Sequence, residues 1–304
     1  MAFTAKDVAL LREKTGCGMM DCKKALTDAN GDMEKATEIL REKGLAAATK
    51  KAGRIAAEGI VYATVNEAKN AGVVIEVNAE TDFVAKNDSF VDFVKVCAET
   101  VLEQNPADVD ALSACKATGG TETIADLLRD KILTIGENMK IRRFAKAEGV
   151  LTTYVHGGGR IGVMVMFDTA SEIAAKPEFD VYAKDIAMQV AATNPMYLNR
   201  DAVPSVEIEK EKEILTAQAI NEGKPAAIAE KMVVGRIAKY YKEVCLVDQP
   251  FVKNGDLSVA QYTENAAKEL GGAIAITGFV RFEKGEGLEK RQDNFADEVA
   301  GMVK

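Results

Sequence analysis

GVVIEVNAETDFVAK, residues 72–86, decides the fold because the chain contains a second version of it. GVMVMFDTASEIAAK, residues 162–176, repeats the pattern at an offset of 90, the distance from residue 72 to residue 162. In both stretches a run of strand-forming apolar residues leads into a short polar segment, which predicts a strand followed by a short helix. Two copies of one pattern predict two related subdomains, whereas a solenoid is built from many repeats.

The repeat extends to both sides of these stretches. AAEGIVYATV (56–65) aligns with KAEGVLTTYV (146–155) at the same offset, and after a slip of one residue Phe90 aligns with Phe179. Each copy therefore predicts a strand, a turn, a second strand, a short helix and a longer helix.

Two helical regions flank or interrupt the repeat. Residues 1–54 predict three short helices, separated by the turn sequences TGCG and ANGD. Residues 201–240 predict two charged helices in which Gly223 ends the first and Pro225 starts the second. Such a pair is typical of a protruding antiparallel hairpin. Its predicted seam consists of Ile208, Ile214, Leu215, Ile228, Met232 and Ile237.

The predicted fold class is α+β, with small antiparallel sheets in a duplicated core. The predicted units are an N-terminal helical module (1–54), a first core subdomain (55–145), a second core subdomain (146–200 and 241–284), an inserted helical hairpin (201–240) and a C-terminal helix (285–304).

Charge and composition narrow the classes of function. The net charge of −8 over 304 residues argues against a general nucleic-acid binder, whose surface is usually basic. No apolar run approaches the ~20 residues of a membrane span, and the first residues do not resemble a signal peptide. The five cysteines are scattered and odd in number, which predicts reduced thiols in a cytoplasmic protein rather than disulfides or a zinc site.

The sequence contains few candidates for catalytic residues. His156 is the only histidine, so paired-histidine catalysis and histidine-rich metal sites are not expected. The following GGGRIG (157–162) resembles a dinucleotide loop, but the strand-like VMVMF after it favours a hairpin turn. Glu80 and Asp82 leave open a metal-dependent enzyme as the alternative; acidic residues in a first helical turn also favour the positive end of the helix.

Asp82 and Phe83 stand together where a short helix is predicted to begin. One interpretation is that Asp82 caps the helix while Phe83 packs into the core. The second copy offers Glu172-Ile173 at the aligned positions, so the scaffold accepts an aliphatic residue where the first copy has the aromatic. That difference favours a local role for Phe83 beyond packing.

Several motifs together resemble one family. They are TGCGMMDCKKAL, ETDFVAKN, IGENMKIRR, HGGGRIGV, GKPAAIAEKMVVGR and TGFVRFEKGEGLEK. In this combination and order the chain resembles the bacterial elongation factor Ts family, the nucleotide-exchange factors of the GTPase elongation factor Tu. The resemblance implies a ubiquitin-associated-like module at the N-terminus, a core of two related subdomains and a helical hairpin inserted into the second.

The resemblance also implies which residues act. It associates Thr81, Asp82, Phe83 and Val84 with loss of the partner's Mg²⁺, the aromatic acting as a wedge between helices of the GTPase. The other implied partner contacts are Arg12, Met19, Met20, Ile135, His156 and Phe295. It implies no catalytic residue, metal or cofactor of the chain's own, and elongation factor Tu as partner without direct contact to nucleic acid or membrane. A homodimer or a 2:2 complex with the GTPase is left open.

Overall fold

The computed structural model describes residues 3–289, and it has the α+β class predicted from the sequence. The helices are α1 (Ala5–Thr15), α2 (Met19–Asp28), α3 (Met33–Lys51), α4 (Asp82–Ala85), α5 (Asp88–Gln104), α6 (Val109–Ala114), α7 (Ile124–Ile135), α8 (Ser171–Ala174), α9 (Pro177–Thr193), α10 (Ser205–Asn221), α11 (Ala226–Val244) and α12 (Val259–Leu270). The strands are β1 (Glu58–Val65), β2 (Ala71–Ala79), β3 (Met139–Glu148), β4 (Val150–His156), β5 (Ile161–Thr169), β6 (Pro250–Phe251), β7 (Asn254–Ser258) and β8 (Ile274–Glu283). The predicted C-terminal helix and Phe295 lie outside the described residues, apart from the first few positions of 285–304.

Helices α1 to α3 enclose a small core of their own. Leu11, Cys22 and Leu26 are fully buried there, and Gly16 ends α1 in the left-handed conformation with a φ of 66°. Helix α3 packs against α7, and Lys51 Nζ donates to the carbonyl of Ile132 in the last turn of α7 at 3.2 Å. The N-terminal module is therefore attached to the first subdomain rather than isolated from it.

Two antiparallel sheets form the core, β1-β2-β3 and β4-β5-β8. Helix α5 packs on the first sheet and α9 on the second. The duplication reaches fine detail: β2 carries an irregularity between Glu76 and Val77, and β5 carries one between Met166 and Phe167, at the same offset of 90. The repeat seen in the sequence is thus a repeat of strand order, register and bulge.

The two sheets pack on each other through residues that the repeat makes equivalent. Val61 and Val74 of the first copy meet Leu151 and Met164 of the second in one buried cluster. Glycine permits this approach at equivalent positions. A Cβ on Gly162 would lie 2.4 Å from Cγ1 of Val61, and one on Gly72 would lie 2.6 Å from Cδ1 of Leu151. The sequence GV at the head of each repeat therefore marks the contact between the subdomains.

Substitution of Gly162 by alanine should destabilise the protein by about 1–3 kcal/mol, because the added methyl must displace the buried Val61 in a close-packed contact. Gly235→Ala is the matched control, since Gly235 lies in α11 with open space around it and alanine favours the helix. Urea denaturation of both variants measures the difference. Equal stabilities would contradict the proposed packing.

The inserted hairpin consists of α10 and α11, with Gly223 at a φ of 79° in the turn, and α11 continues to Val244, beyond the predicted end at residue 240. Its seam differs from the expectation in part. Ile214 and Ile228 are exposed, and the small Ala219 and Ala229 are fully buried instead. Alanines let two helices approach closely, which turns the larger isoleucines outward. Within residues 3–289 no helix is both long and apolar enough to cross a membrane.

Candidate functional site

The loop between β2 and α4 carries the most exposed large apolar side chain of the described residues. Strand β2 ends at Ala79, and α4 is a single turn from Asp82 to Ala85. Val84 points into the core of the first subdomain, whereas 81% of Phe83 is exposed. Phe83 therefore does not pack into its own core, and Val84, placed among the expected partner contacts, has a packing role.

The second copy shows what the scaffold alone requires. In α8 the buried residue is Ile173, which has the same 6% exposure as Val84. The alignment of Phe83 with Ile173 was therefore wrong by one residue, because the buried position sets the register of each short helix. The true counterpart of Phe83 is the exposed Glu172. The first copy is longer by one residue just before this helix, with Glu80 and Thr81 where the second has Ala170 alone.

Asp82 lies at the start of the short helix, exposed like its neighbour Phe83. Its Oδ2 accepts a hydrogen bond from Nζ of Lys86 at 3.0 Å, one turn further along. This hydrogen bond and the lysine charge hold the pKa of Asp82 below its ordinary value. The loop thus presents an ionised carboxylate beside an aromatic ring, both facing solvent.

The base of the loop is joined to the turn that follows α7, residues 136–138. Both carboxylate oxygens of Glu137 accept hydrogen bonds from Thr81, from its N–H at 3.0 Å and from its hydroxyl at 2.7 Å. In return, Glu80 Oε1 accepts the N–H of Asn138 at 2.5 Å. Ile135, the half-buried last residue of α7, immediately precedes this turn in the sequence.

The acidic residues of the loop do not converge on a common point. Glu80 is bonded to Asn138 and lies 3.3 Å from the guanidinium of Arg54, whereas Asp82 is paired with Lys86. Among residues 3–289 no group of three or more His, Cys, Asp and Glu side chains is arranged to hold a metal ion. Glu80 and Asp82 are thus each engaged by a different partner in this geometry.

His156 is the exposed last residue of β4, and its Nδ1 lies 3.0 Å from the hydroxyl of Tyr154. The glycines after it form the predicted hairpin turn, since β5 starts at Ile161. The carbonyl of Gly159 accepts the N–H of Val61 at 2.8 Å, which places this turn against the beginning of β1. Because β1 begins where β2 ends, the turn and the loop of Phe83 share one end of the first sheet. No direct hydrogen bond joins them within the described chain.

A second apolar surface belongs to the N-terminal module. Met19 and Met20 are both exposed, Met20 by 73%, and Arg12 is exposed as well. Leu10, which is not among the predicted contacts, is exposed as well. Helical spacing explains the outcome, because Val8 and Leu11 fill the inward face of α1 and leave Leu10 outside.

Glu76, for which the sequence predicts only a place in a strand, is a fully buried carboxylate in β2. It accepts hydrogen bonds from Arg142 at 3.0 Å, Arg143 at 2.7 Å, Asn78 at 3.1 Å and the N–H of Gly285 at 2.8 Å. Burial alone would raise the pKa of Glu76, but these four donors outweigh it and hold the pKa below its ordinary value. Glu76 thereby ties two strands of the first sheet to the segment after β8.

Comparison with known proteins agrees with the motifs. Residues 80–286 match the family model described as Elongation factor TS. An elongation factor Ts of Clostridium perfringens strain 13 is 56% identical over 303 residues, covering 99% of each chain. The chain belongs to the elongation factor Ts family. An elongation factor Ts of Clostridium botulinum strain Langeland is 52% identical over 301 residues, or 98% of this chain and 97% of the relative. Membership places the chain among the elongation factors of protein synthesis, and the matched range begins at Glu80 in the loop of Phe83.

Proposed function

We propose that the chain binds elongation factor Tu in its GDP form and promotes the release of GDP and its exchange for GTP. It does so by disturbing the Mg²⁺ and nucleotide site of that GTPase, with Asp82 and Phe83 as the wedge. Family membership supports the choice of partner. The observation that carries the mechanism is the 81% exposure of Phe83 on a helix whose next residue, Val84, is anchored in the core.

The physics of exchange needs only binding. In a GTPase, backbone N–H groups and Mg²⁺ hold the phosphates of GDP. A partner can lower the affinity of the GTPase for GDP only by binding more tightly to a conformation of the GTPase in which GDP is bound weakly. An aromatic ring is suited to this, because it gains a large buried area once it enters a groove between helices of the partner. No covalent bond is made or broken, so we propose that the chain is not an enzyme in the chemical sense.

Reciprocity provides the test of this function. If the factor weakens the binding of GDP to elongation factor Tu by some ratio, GDP must weaken the binding of the factor by the same ratio. Isothermal titration with the full-length chain measures both affinities, each with and without the other ligand. Equal ratios well above one support the proposal, whereas an affinity for GDP that does not change in the complex contradicts it.

We propose that the N-terminal module supplies affinity rather than the disturbance itself. Its exposed Met19 and Met20 are flexible apolar side chains of the kind used at protein contacts. The Met19→Ala/Met20→Ala double variant should raise the half-saturating concentration of the factor by about 10-fold and leave the rate of GDP release at saturation unchanged. Leu45→Ala, at an apolar residue of similar exposure on α3, is the control. A lower rate at saturation would assign the module to the exchange step.

The proposed partner also implies a location. A factor that acts on the GTPase of the ribosomal cycle works in the cytoplasm, where reduced thiols persist. All five cysteines of the chain are free thiols, which agrees with that compartment.

A further inference from the structure

The loop between β2 and α4 has very little structure of its own to hold the exposed ring of Phe83. Helix α4 has four residues, too few to be stable by itself, and Val84 is its one buried side chain. Without further support, Phe83 would sample many orientations. The cost of ordering it would then reduce the free energy of binding.

Support comes from the turn after α7. Glu137 uses both of its carboxylate oxygens on Thr81, the residue before α4, at 3.0 Å to the N–H and 2.7 Å to the hydroxyl. Two hydrogen bonds donated by one residue to a single planar carboxylate set the rotation of that residue as well as its position. Glu80 adds a third bond in the opposite direction, accepting the N–H of Asn138 at 2.5 Å.

The turn is itself anchored from behind. The side-chain amide of Asn138 donates to the carbonyl of Arg54 at 2.8 Å, in the segment that leads from the N-terminal module into β1. Asn138 is buried, and the next residue, Met139, is the first of β3 and pairs with Ala79 of β2. The loop between β2 and α4 is thus hydrogen-bonded to the turn 136–138, which leads directly into β3 of the first sheet.

The second copy serves as an internal comparison. At the equivalent place the hydroxyl of Thr169 donates to the carbonyl of Ala273 at 2.8 Å. Ala273 precedes β8 as Asn138 precedes β3, and Ala170 precedes α8 as Thr81 precedes α4. The methyl side chain of Ala170 cannot form a hydrogen bond with the neighbouring turn. The carboxylate clamp therefore occurs in the copy that carries an exposed aromatic, and the shared fold does not require it.

We propose that Glu137 is a positioning residue of exchange, which with Glu80 and Thr81 forms a clamp that holds the Asp82–Phe83 loop ready to bind. This inference rests on the proposed function for its effect on GDP release. Its structural part concerns the free protein and can be measured there alone.

Three variants separate the clamp from general stability. Glu137→Ala removes both bonds to Thr81. Glu137→Gln retains them, because the amide oxygen accepts the N–H of Thr81 while the amide nitrogen donates to its hydroxyl oxygen. Thr169→Val removes the tie of the second copy and is the matched control.

The first measurement is amide hydrogen exchange of the segment 81–86 in the full-length protein without a partner. Glu137→Ala should raise its exchange rate by about 10-fold, the effect of losing about 1.4 kcal/mol of local stability. Glu137→Gln and Thr169→Val should leave it close to that of the unaltered protein. Unchanged exchange in Glu137→Ala would overturn the clamp, whether or not the protein acts on elongation factor Tu.

The second measurement is GDP release in a double-mutant cycle. When Phe83 is present, Glu137→Ala should lower the rate of factor-stimulated GDP release by about 10-fold. When Phe83 has been replaced by alanine, the same substitution should lower the rate by less than about 2-fold, because the ring that Glu137 positions is gone. Additive losses would overturn the positioning role, since they would mean that Glu137 acts on the partner or on the fold independently of Phe83. Absence of stimulated release in the unaltered protein would instead contradict the proposed function, and hydrogen exchange would still decide the clamp.

Discussion

Replacement of Phe83 by alanine should slow factor-stimulated GDP release from elongation factor Tu by about 30-fold at saturation, equivalent to about 2 kcal/mol for the loss of a central aromatic anchor. The same change should leave the free energy of unfolding within about 0.5 kcal/mol of the original, because an exposed ring contributes little to the folded state. Release of fluorescent GDP and urea denaturation of the same preparation measure the two quantities.

Glu172→Ala is the matched control for this variant. Glu172 occupies the position of Phe83 in the second copy, exposed on the equivalent one-turn helix. It should leave both release and stability unchanged. Normal GDP release by Phe83→Ala with a large loss of stability would mean that the ring packs within the chain, contrary to its exposure.

Substitution of Glu76 by glutamine should lower the free energy of unfolding by about 3 kcal/mol at pH 7. This is the lower end of the range for breaking a buried ion pair, because Arg142 and Arg143 are partly exposed and can be solvated. Glu148→Gln, an exposed carboxylate on β3, is the control and should change stability by less than about 0.5 kcal/mol. Urea denaturation at constant pH measures both.

The direction of the pKa shift predicts a pH dependence for the same pair of proteins. The pKa of Glu76 is lower in the folded chain than its ordinary value of 4.5. Its contribution is therefore complete above pH 4.5 and is lost as the pH falls through the folded pKa. The stability difference between the unaltered protein and Glu76→Gln should shrink below pH 4.5. A difference that stays constant into acid would show that Glu76 stabilises the fold without its charge.

The architecture was predictable because it rests on local patterns. Strand-forming runs at an offset of 90 identified two copies, and Gly223 with Pro225 marked the hairpin. The register slip between the copies was misplaced for a physical reason. The identical dipeptides Ala85-Lys86 and Ala175-Lys176 favoured an alignment at an offset of 90. The burial of Val84 and Ile173, however, determines how each short helix packs on its sheet.

The candidate site was predictable only in part. An apolar residue at the start of a helix can be buried or exposed. The local sequence therefore did not determine the burial of the Phe83 side chain, which the structure shows to be exposed. Glu137 could not be found by pattern, because its partner Thr81 lies 56 residues earlier in the chain. The same holds for Glu76, whose four donors come from segments up to 209 residues away. Such contacts depend on how the sheets pack rather than on local sequence.

The most direct test of the proposed exchange activity is the rate of GDP release from elongation factor Tu, followed by stopped-flow fluorescence as the concentration of the full-length chain is raised. We predict that the rate rises and then saturates well above the spontaneous rate, and that excess free GDP displaces the chain from the complex. A release rate that stays at its spontaneous value, at concentrations where a stable complex forms, would contradict the claim that this protein is an exchange factor.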